Sequence, residues 1–152
     1  MIVVKDLKRY YGSGETTVKA LNGVSFEIKK GQFVAIMGAS GSGKTTVLRI
    51  LALLDDATEG EYTIRGLQVS NLPEAERSYY RLTQVGYVFQ DYALINEMTA
   101  AENVYVLSMM EGKSKKESYK TALEALDKVG LKDKHDRIPD ELSGGEKQRV
   151  AI

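Results

Sequence analysis

The sequence predicts an α/β fold with a β-rich start, a strand–loop–helix unit and a helical block in its second half. Three observations carry this expectation. Val24, Phe26 and Ile28 alternate with Ser25, Glu27 and Lys29, the period of a half-buried strand. An apolar run at 32–37 (QFVAIM) leads through a glycine-rich loop into a helical pattern, the order of a βα unit. Tyr119, Ala122, Leu123, Leu126 and Val129 recur on one face of a helix, which an apolar core would cover.

Taken in order, Gly31 turns the chain from the first strands into the run at 32–37, expected to be a strand buried on both faces. The helix after the loop spans about Lys44 to Leu54. Residues 61–64 (EYTI) and 67–69 (LQV) form a hairpin around Arg65-Gly66. Pro73 lies in the first turn of a helix reaching about Leu82. Residues 85–89 (VGYVF) are expected to be a second buried strand. Thr99 with Glu102, and Ser114 with Glu117, have capping-box spacing at the starts of two further helices, and Gly130 ends the second.

At 152 residues the chain suits one domain with a real core. Basic and acidic residues balance at 21 each, which argues against a dedicated polyanion binder, so no nucleic-acid partner is expected; a local basic patch stays open. With no cysteine, disulfides and thiolate metal sites are excluded. The N-terminal MIVVKDLKRYYG and every later window lack an apolar run of signal-peptide or membrane-spanning length, so any membrane link is expected to run through a partner.

Residues 38–45 read GASGSGKT, a full match to G-x-x-x-x-G-K-[ST]. Gly38, Gly41 and Gly43 allow the tight backbone course that turns successive N–H groups toward phosphate oxygens. The helix that starts there adds its positive dipole end. Lys44 can reach the β- and γ-phosphates, the Thr45 hydroxyl can ligate Mg²⁺, and Ser40, Ser42 and Thr46 complete the candidate nucleotide contacts. The position of the loop, after an apolar run and before a helix, separates it from a glycine-rich turn that merely ends in Lys-Thr. By itself it names neither the nucleotide nor the enzyme.

Residues 142–149 read LSGGEKQR. Ser143, Gly144 and Gly145 would open a helix whose first N–H groups lack internal partners, making a second anion site. Without the first loop, a helix N-cap with a Gly-Gly turn would be the better reading. With both motifs in this order the chain resembles the ABC ATPases, whose signature is LSGGQ followed by basic and polar residues. The wording at 36–46 (IMGASGSGKTT), 86–90 (GYVFQ) and 99–104 (TAAENV) is similar to that of macrolide-export and lipoprotein-release ATPase subunits, and the resemblance runs along essentially the whole chain.

The resemblance implies a P-loop NTPase domain of ABC type. About 1–90 would be the β-rich and P-loop lobe, about 91–142 a helical subdomain, and 143–152 the start of the signature helix. It implies ATP with Mg²⁺ as the ligand, and a head-to-tail dimer with a second ABC domain. Ser143, Gly144 and Gly145 of one copy would then contact nucleotide held by the other. It also implies a transmembrane permease partner that keeps the domain, peripherally, at the cytoplasmic face of the membrane. Gln90 stands where the family's glutamine contacts Mg²⁺ and the attacking water, and residues 91–97 (DYALINE) where the permease docks. Tyr92, Leu94 and Ile95 suit that role, and equally a buried one. Tyr11, placed before the first regular strands, would stack on adenine, though its neighbour Tyr10 could take the same place.

Residues 50–56 (ILALLDD) imitate the strand that ends in a Mg²⁺-binding Asp, but they continue the helix after the P-loop and are better explained as its core. His135, the only histidine, precedes the signature and is expected in a loop; Lys113, Lys115 and Lys116 are a solvated cluster. The sequence ends at Val150-Ala151-Ile152, inside what should be the signature helix. The family's following strand, catalytic Glu and switch His are not among these residues. The 152 residues alone are therefore expected at best to bind nucleotide weakly and not to turn it over efficiently. The leading expectation is an ATP-hydrolysing transporter subunit. The alternatives are a non-transport ABC ATPase of translation-factor or DNA-repair type, and a nucleotide-binding module without turnover.

Overall fold

A computed structural model describes residues 1–152. They divide into two compact units, Met1–Arg81 and Leu82–Ile152.

The first unit is built on a four-stranded antiparallel sheet: β1 (Ile2–Tyr11), β2 (Val18–Ile28), β3 (Glu59–Ile64) and β4 (Leu67–Gln68), in the spatial order β2-β1-β3-β4. Tyr11 is the last residue of β1 rather than a residue ahead of the strands. The alternation seen at 24–29 holds, with Val24, Phe26 and Ile28 half-buried and Ser25 and Glu27 exposed. The β3–β4 hairpin turns at Arg65 and Gly66, both at positive φ (52° and 85°), the turn whose twist matches paired strands. α1 (Lys44–Leu51) packs its Val47 and Ile50 with Val4, Leu7, Leu21, Leu53, Tyr62 and Val69. The helix ends short of the expected Leu54 because Leu53 takes a left-handed φ of 58°. Tyr62 is buried and donates its hydroxyl to the Leu51 carbonyl at 2.7 Å, and burial pushes that hydroxyl far above its ordinary range. α2 (Glu74–Gln84) follows Pro73, whose carbonyl accepts the first helical bond from Arg77. Arg77 and Arg81 donate to the Leu53 carbonyl at 3.1 and 2.8 Å, tying α2 to the end of α1.

Two expected strands are not present. Residues 32–37 and 85–89 have no ladder partner, and Phe33 and Met37 are 99% and 88% exposed instead of buried on both faces. A strand exists only when a neighbour takes its N–H and C=O groups. The sheet of this chain is complete from β2 to β4 without these segments, so nothing in it pairs with them. The P-loop βα unit therefore has its helix but not a paired strand.

The second unit contains α3 (Ala100–Met110), α4 (Lys115–Lys128) and α5 (Gly144–Ala151). Thr99 and Glu102 form the full capping box at α3, while Ser114 caps α4 through the Glu117 amide alone. Ala100, Ala101, Leu126, Leu131, Leu142 and Val150 make its core. Of the apolar face read on α4, Ala122 and Leu126 are buried, Leu123 and Val129 half-buried, and Tyr119 lies at the rim, edge-on to Tyr105 and His135. Gly130 follows the helix at φ 72°, the conformation a helix stop favours.

Leu126→Ala opens a cavity in the only core of this unit and is expected to cost about 2–4 kcal/mol by denaturant unfolding. Tyr119→Ala, at the rim, should cost less than half as much.

Candidate functional site

The first unit carries the glycine loop. Gly43 caps α1 at φ 86° and offers no side-chain acceptor, and the first bond of the helix runs from the Val47 amide to the Gly43 carbonyl. The amides of Lys44, Thr45 and Thr46 thus have no acceptor within the helix. They sit where the helix dipole is positive, an arrangement that favours an anion with several oxygens. Gly43 is fixed by packing as well as by φ. A Cβ there would lie 2.5 Å from the Ala20 carbonyl oxygen and 2.7 Å from the Leu21 side chain. The loop is therefore pressed onto β2, and only glycine permits it.

Gly38, Ser40, Gly41, Ser42 and Thr45 are all exposed around this point. Lys44 Nζ donates to the Ala39 carbonyl at 2.6 Å and approaches the Ser42 hydroxyl at 3.4 Å. The ammonium therefore lies across its own loop, within reach of any group held there. Thr46 is half-buried. Of the stretch 50–56 that imitates a metal-binding strand, Ile50 and Leu51 end α1, and Ala52 and Leu53 are buried in the turn after it, so it is core and turn rather than a strand, with less of it helical than expected.

Tyr11 is 38% exposed, and its hydroxyl donates to Asp55 Oδ2 at 2.6 Å. Tyr10 is separately engaged: its hydroxyl donates to Asn22 Oδ1 at 2.8 Å, with Lys19 over its ring. β1 pairs Arg9 with Leu21, the residue under Gly43, so the Tyr11 end of β1 lies beside the strand that supports the loop.

The second unit carries the other motif residues. Ser143 caps α5 and accepts the Glu146 amide at 3.4 Å, while the Glu146 carboxylate accepts the Ser143 amide and hydroxyl, each at 2.8 Å. Lys134 donates to the same carboxylate. The Lys134 hydrogen bond, then the Ser143 amide, hold Glu146 down to about 2. It stays ionised at neutral pH and keeps the turn closed on itself, with Ser143, Gly144 and Gly145 exposed. Gln90 is exposed and opens a turn in which Tyr92 and Ala93 both take left-handed φ (65° and 53°), each costing on the order of 1 kcal/mol. The turn brings the Tyr92 hydroxyl over the backbone of Gly144, where an added Cβ would lie 3.0 Å from it. Gly144 thus leaves room for a ring from the loop after Gln90, so the two motifs of this unit are in contact.

Sequence reasoning missed three participants. Glu146 stands three residues after Ser143, capping-box spacing that was readable; Lys134 had no signal. Asp55 was weighed only as a metal ligand, yet it holds Tyr11 and Arg9. His135 is in a turn with its Nδ1 2.9 Å from the Lys132 carbonyl, and its own carbonyl accepts the Ala101 amide at 2.9 Å.

The family profile described as ABC transporter matches residues 21–152. The macrolide export ATP-binding/permease protein MacB of Mannheimia succiniciproducens is 46% identical over all of this chain, which covers 24% of that relative. The lipoprotein-releasing system ATP-binding protein LolD 2 of Rhodopseudomonas palustris is 43% identical, again over the whole chain, and 66% of it is covered. The dimeric structure of the ATP-binding cassette MJ0796 bound to ADP and Pi superposes with a TM-score of 0.92 at 40% identity, covering 99% of this chain and 67% of that one. The chain thus spans about a quarter of the length of the macrolide-export relatives and two thirds of the lipoprotein-releasing one. With its glycine loop, its second capped turn and a matched span of 21–152, the chain belongs to the ABC transporter family, as an α/β ATP-binding domain of ABC type.

Proposed function

We propose that this chain is the nucleotide-binding part of an ATP-hydrolysing subunit that powers an ABC membrane transporter. The observation that carries the reading is the start of α1: three amides without a helical acceptor, the Lys44 ammonium lying across the loop before them, and a glycine that locks the loop to β2. Gly38, Ser40, Gly41, Ser42, Gly43, Lys44, Thr45 and Thr46 take the triphosphate, and Tyr11 stacks on adenine.

The chain has no group of three or more His, Asp or Glu side chains able to hold a metal by themselves. Mg²⁺ suits this loop as a cation held chiefly by phosphate oxygens, with the exposed Thr45 hydroxyl as a protein ligand; for Gln90, exposed in the second unit, the role of metal ligand rests on the family likeness alone. Bound so, it would neutralise charge on the phosphates; Lys44 and the loop amides orient them, and Gln90 orients water. Ser143, Gly144 and Gly145 are exposed at the start of α5, and the family likeness supports a head-to-tail dimer in which each signature, in competition with its own Glu146 cap, closes on the partner's nucleotide. The relatives' names support a permease partner, and with it a peripheral place at the cytoplasmic face of the membrane. No helix is long and apolar enough to cross a membrane. The non-transport alternative with coiled-coil arms finds no support: the helices between Gln90 and Ser143 span 11 and 14 residues.

Lys44→Ala in the full-length protein is expected to abolish measurable ATP binding by calorimetry, a loss of about 2 kcal/mol or more. Unchanged binding would overturn the assignment of the phosphate site.

A further inference from the structure

Three side chains at the edge of the first unit form a closed arrangement that none of the sequence motifs includes. Asp55 Oδ1 accepts from Arg9 Nη2 at 2.7 Å and from the Asp56 amide at 2.8 Å, and Asp55 Oδ2 accepts from the Tyr11 hydroxyl at 2.6 Å. The Arg9 guanidinium carbon lies 4.5 Å from the centre of the Tyr11 ring. Arg9 and Tyr11 are two apart on β1 and so share a side of the strand. The side chains of Asp55 and Arg9 are only 14% and 23% exposed, whereas Tyr11 is exposed, at 38% for the whole residue. The carboxylate and the cation are thus the inner parts of the cluster, and the ring is its outer part.

We propose that Arg9 and Asp55 are positioning residues that hold Tyr11 as a one-sided stacking platform for the base of a nucleoside triphosphate. The inference rests on the reading of Tyr11 as the base contact. A hydrogen bond from a phenol to a carboxylate is among the stronger ones a side chain makes, and here it fixes the far end of the ring. The guanidinium covers one ring face by cation–π attraction, leaving the other for a ligand. The ring is ordered before any ligand arrives, so binding does not have to bear that entropy.

The clamp also joins the two ends of the nucleotide site. Asp55 follows α1, the helix whose start takes phosphate, and Arg9 pairs with Leu21, on which the phosphate loop rests. Base and phosphates are therefore read by one rigid assembly of β1, β2 and α1. Because every base has a π face, the platform adds affinity for base-bearing triphosphates without choosing among purines.

The test is calorimetry on the full-length protein with ATP, GTP and inorganic tripolyphosphate, for Tyr11→Ala, Tyr11→Phe, Arg9→Met and Asp55→Asn. Tyr11→Phe, Arg9→Met and Asp55→Asn should each weaken ATP and GTP alike by roughly three- to tenfold. Tripolyphosphate affinity should stay the same, and KM should rise at unchanged kcat. Equal losses for ATP and tripolyphosphate would mean a general structural role and overturn the proposal. Weak ATP binding by Tyr11→Ala, with the other three at wild-type affinity, would remove the clamp but leave the stacking. Unchanged ATP binding by Tyr11→Ala would remove the stacking, and the clamp with it. If Asp55→Asn does not fold, Tyr11→Phe and Arg9→Met decide the matter by the same criteria.

Discussion

The contact between Gly43 and β2 is the constraint from which the rest of the proposed nucleotide site follows. A backbone at φ 86° with the Ala20 carbonyl where a Cβ would stand admits one residue type. That contact fixes where α1 begins and which way its first amides point. It places Lys44 over the loop, and it sets the glycine loop against the strand whose partner carries Arg9 and Tyr11. The buried residues Leu21, Val47 and Ile50 hold this arrangement from beneath, so the geometry of an exposed loop is set by a packed core.

The second unit solves the same backbone problem differently. At the start of α5 the side chains of Ser143 and Glu146 satisfy the turn, and Lys134 neutralises the carboxylate. One helix start is left open for an anion, and the other is closed by a charged cap of its own. A phosphate arriving at Ser143 must compete with Glu146 for the hydroxyl and amide of that serine. The contact of Tyr92 with Gly144 links this turn to the strained backbone after Gln90. A change at either motif of this unit is therefore felt at the other through a direct contact.

What the sequence made legible was local. The glycine loop, the capping box at Thr99 and the positive-φ turn at Arg65-Gly66 each depend on residues a few positions apart, and each was found where expected. The segments 32–37 and 85–89 were misjudged for the opposite reason. Their apolar runs describe strands, but strand formation is a property of a pair, and no partner for either lies in this chain. The clamp on Tyr11 was out of reach because its residues lie 44 positions apart, and an Asp after an apolar helix gives no periodic signal. The likeness of 142–149 to the ABC signature identified the family; the glycine loop at 38–45, with its two serines and three glycines, did not by itself.

The central claim is that ATP is held by the backbone amides that open α1. Titrating ¹⁵N-labelled protein with MgATP and following amide shifts tests it most directly. The account predicts that the largest shifts fall on Gly41 to Thr46, with those of Tyr11 and Asp55 moving over the same concentration range. Saturation with the amides of 41–46 unmoved, and shifts confined to the second unit, would contradict it.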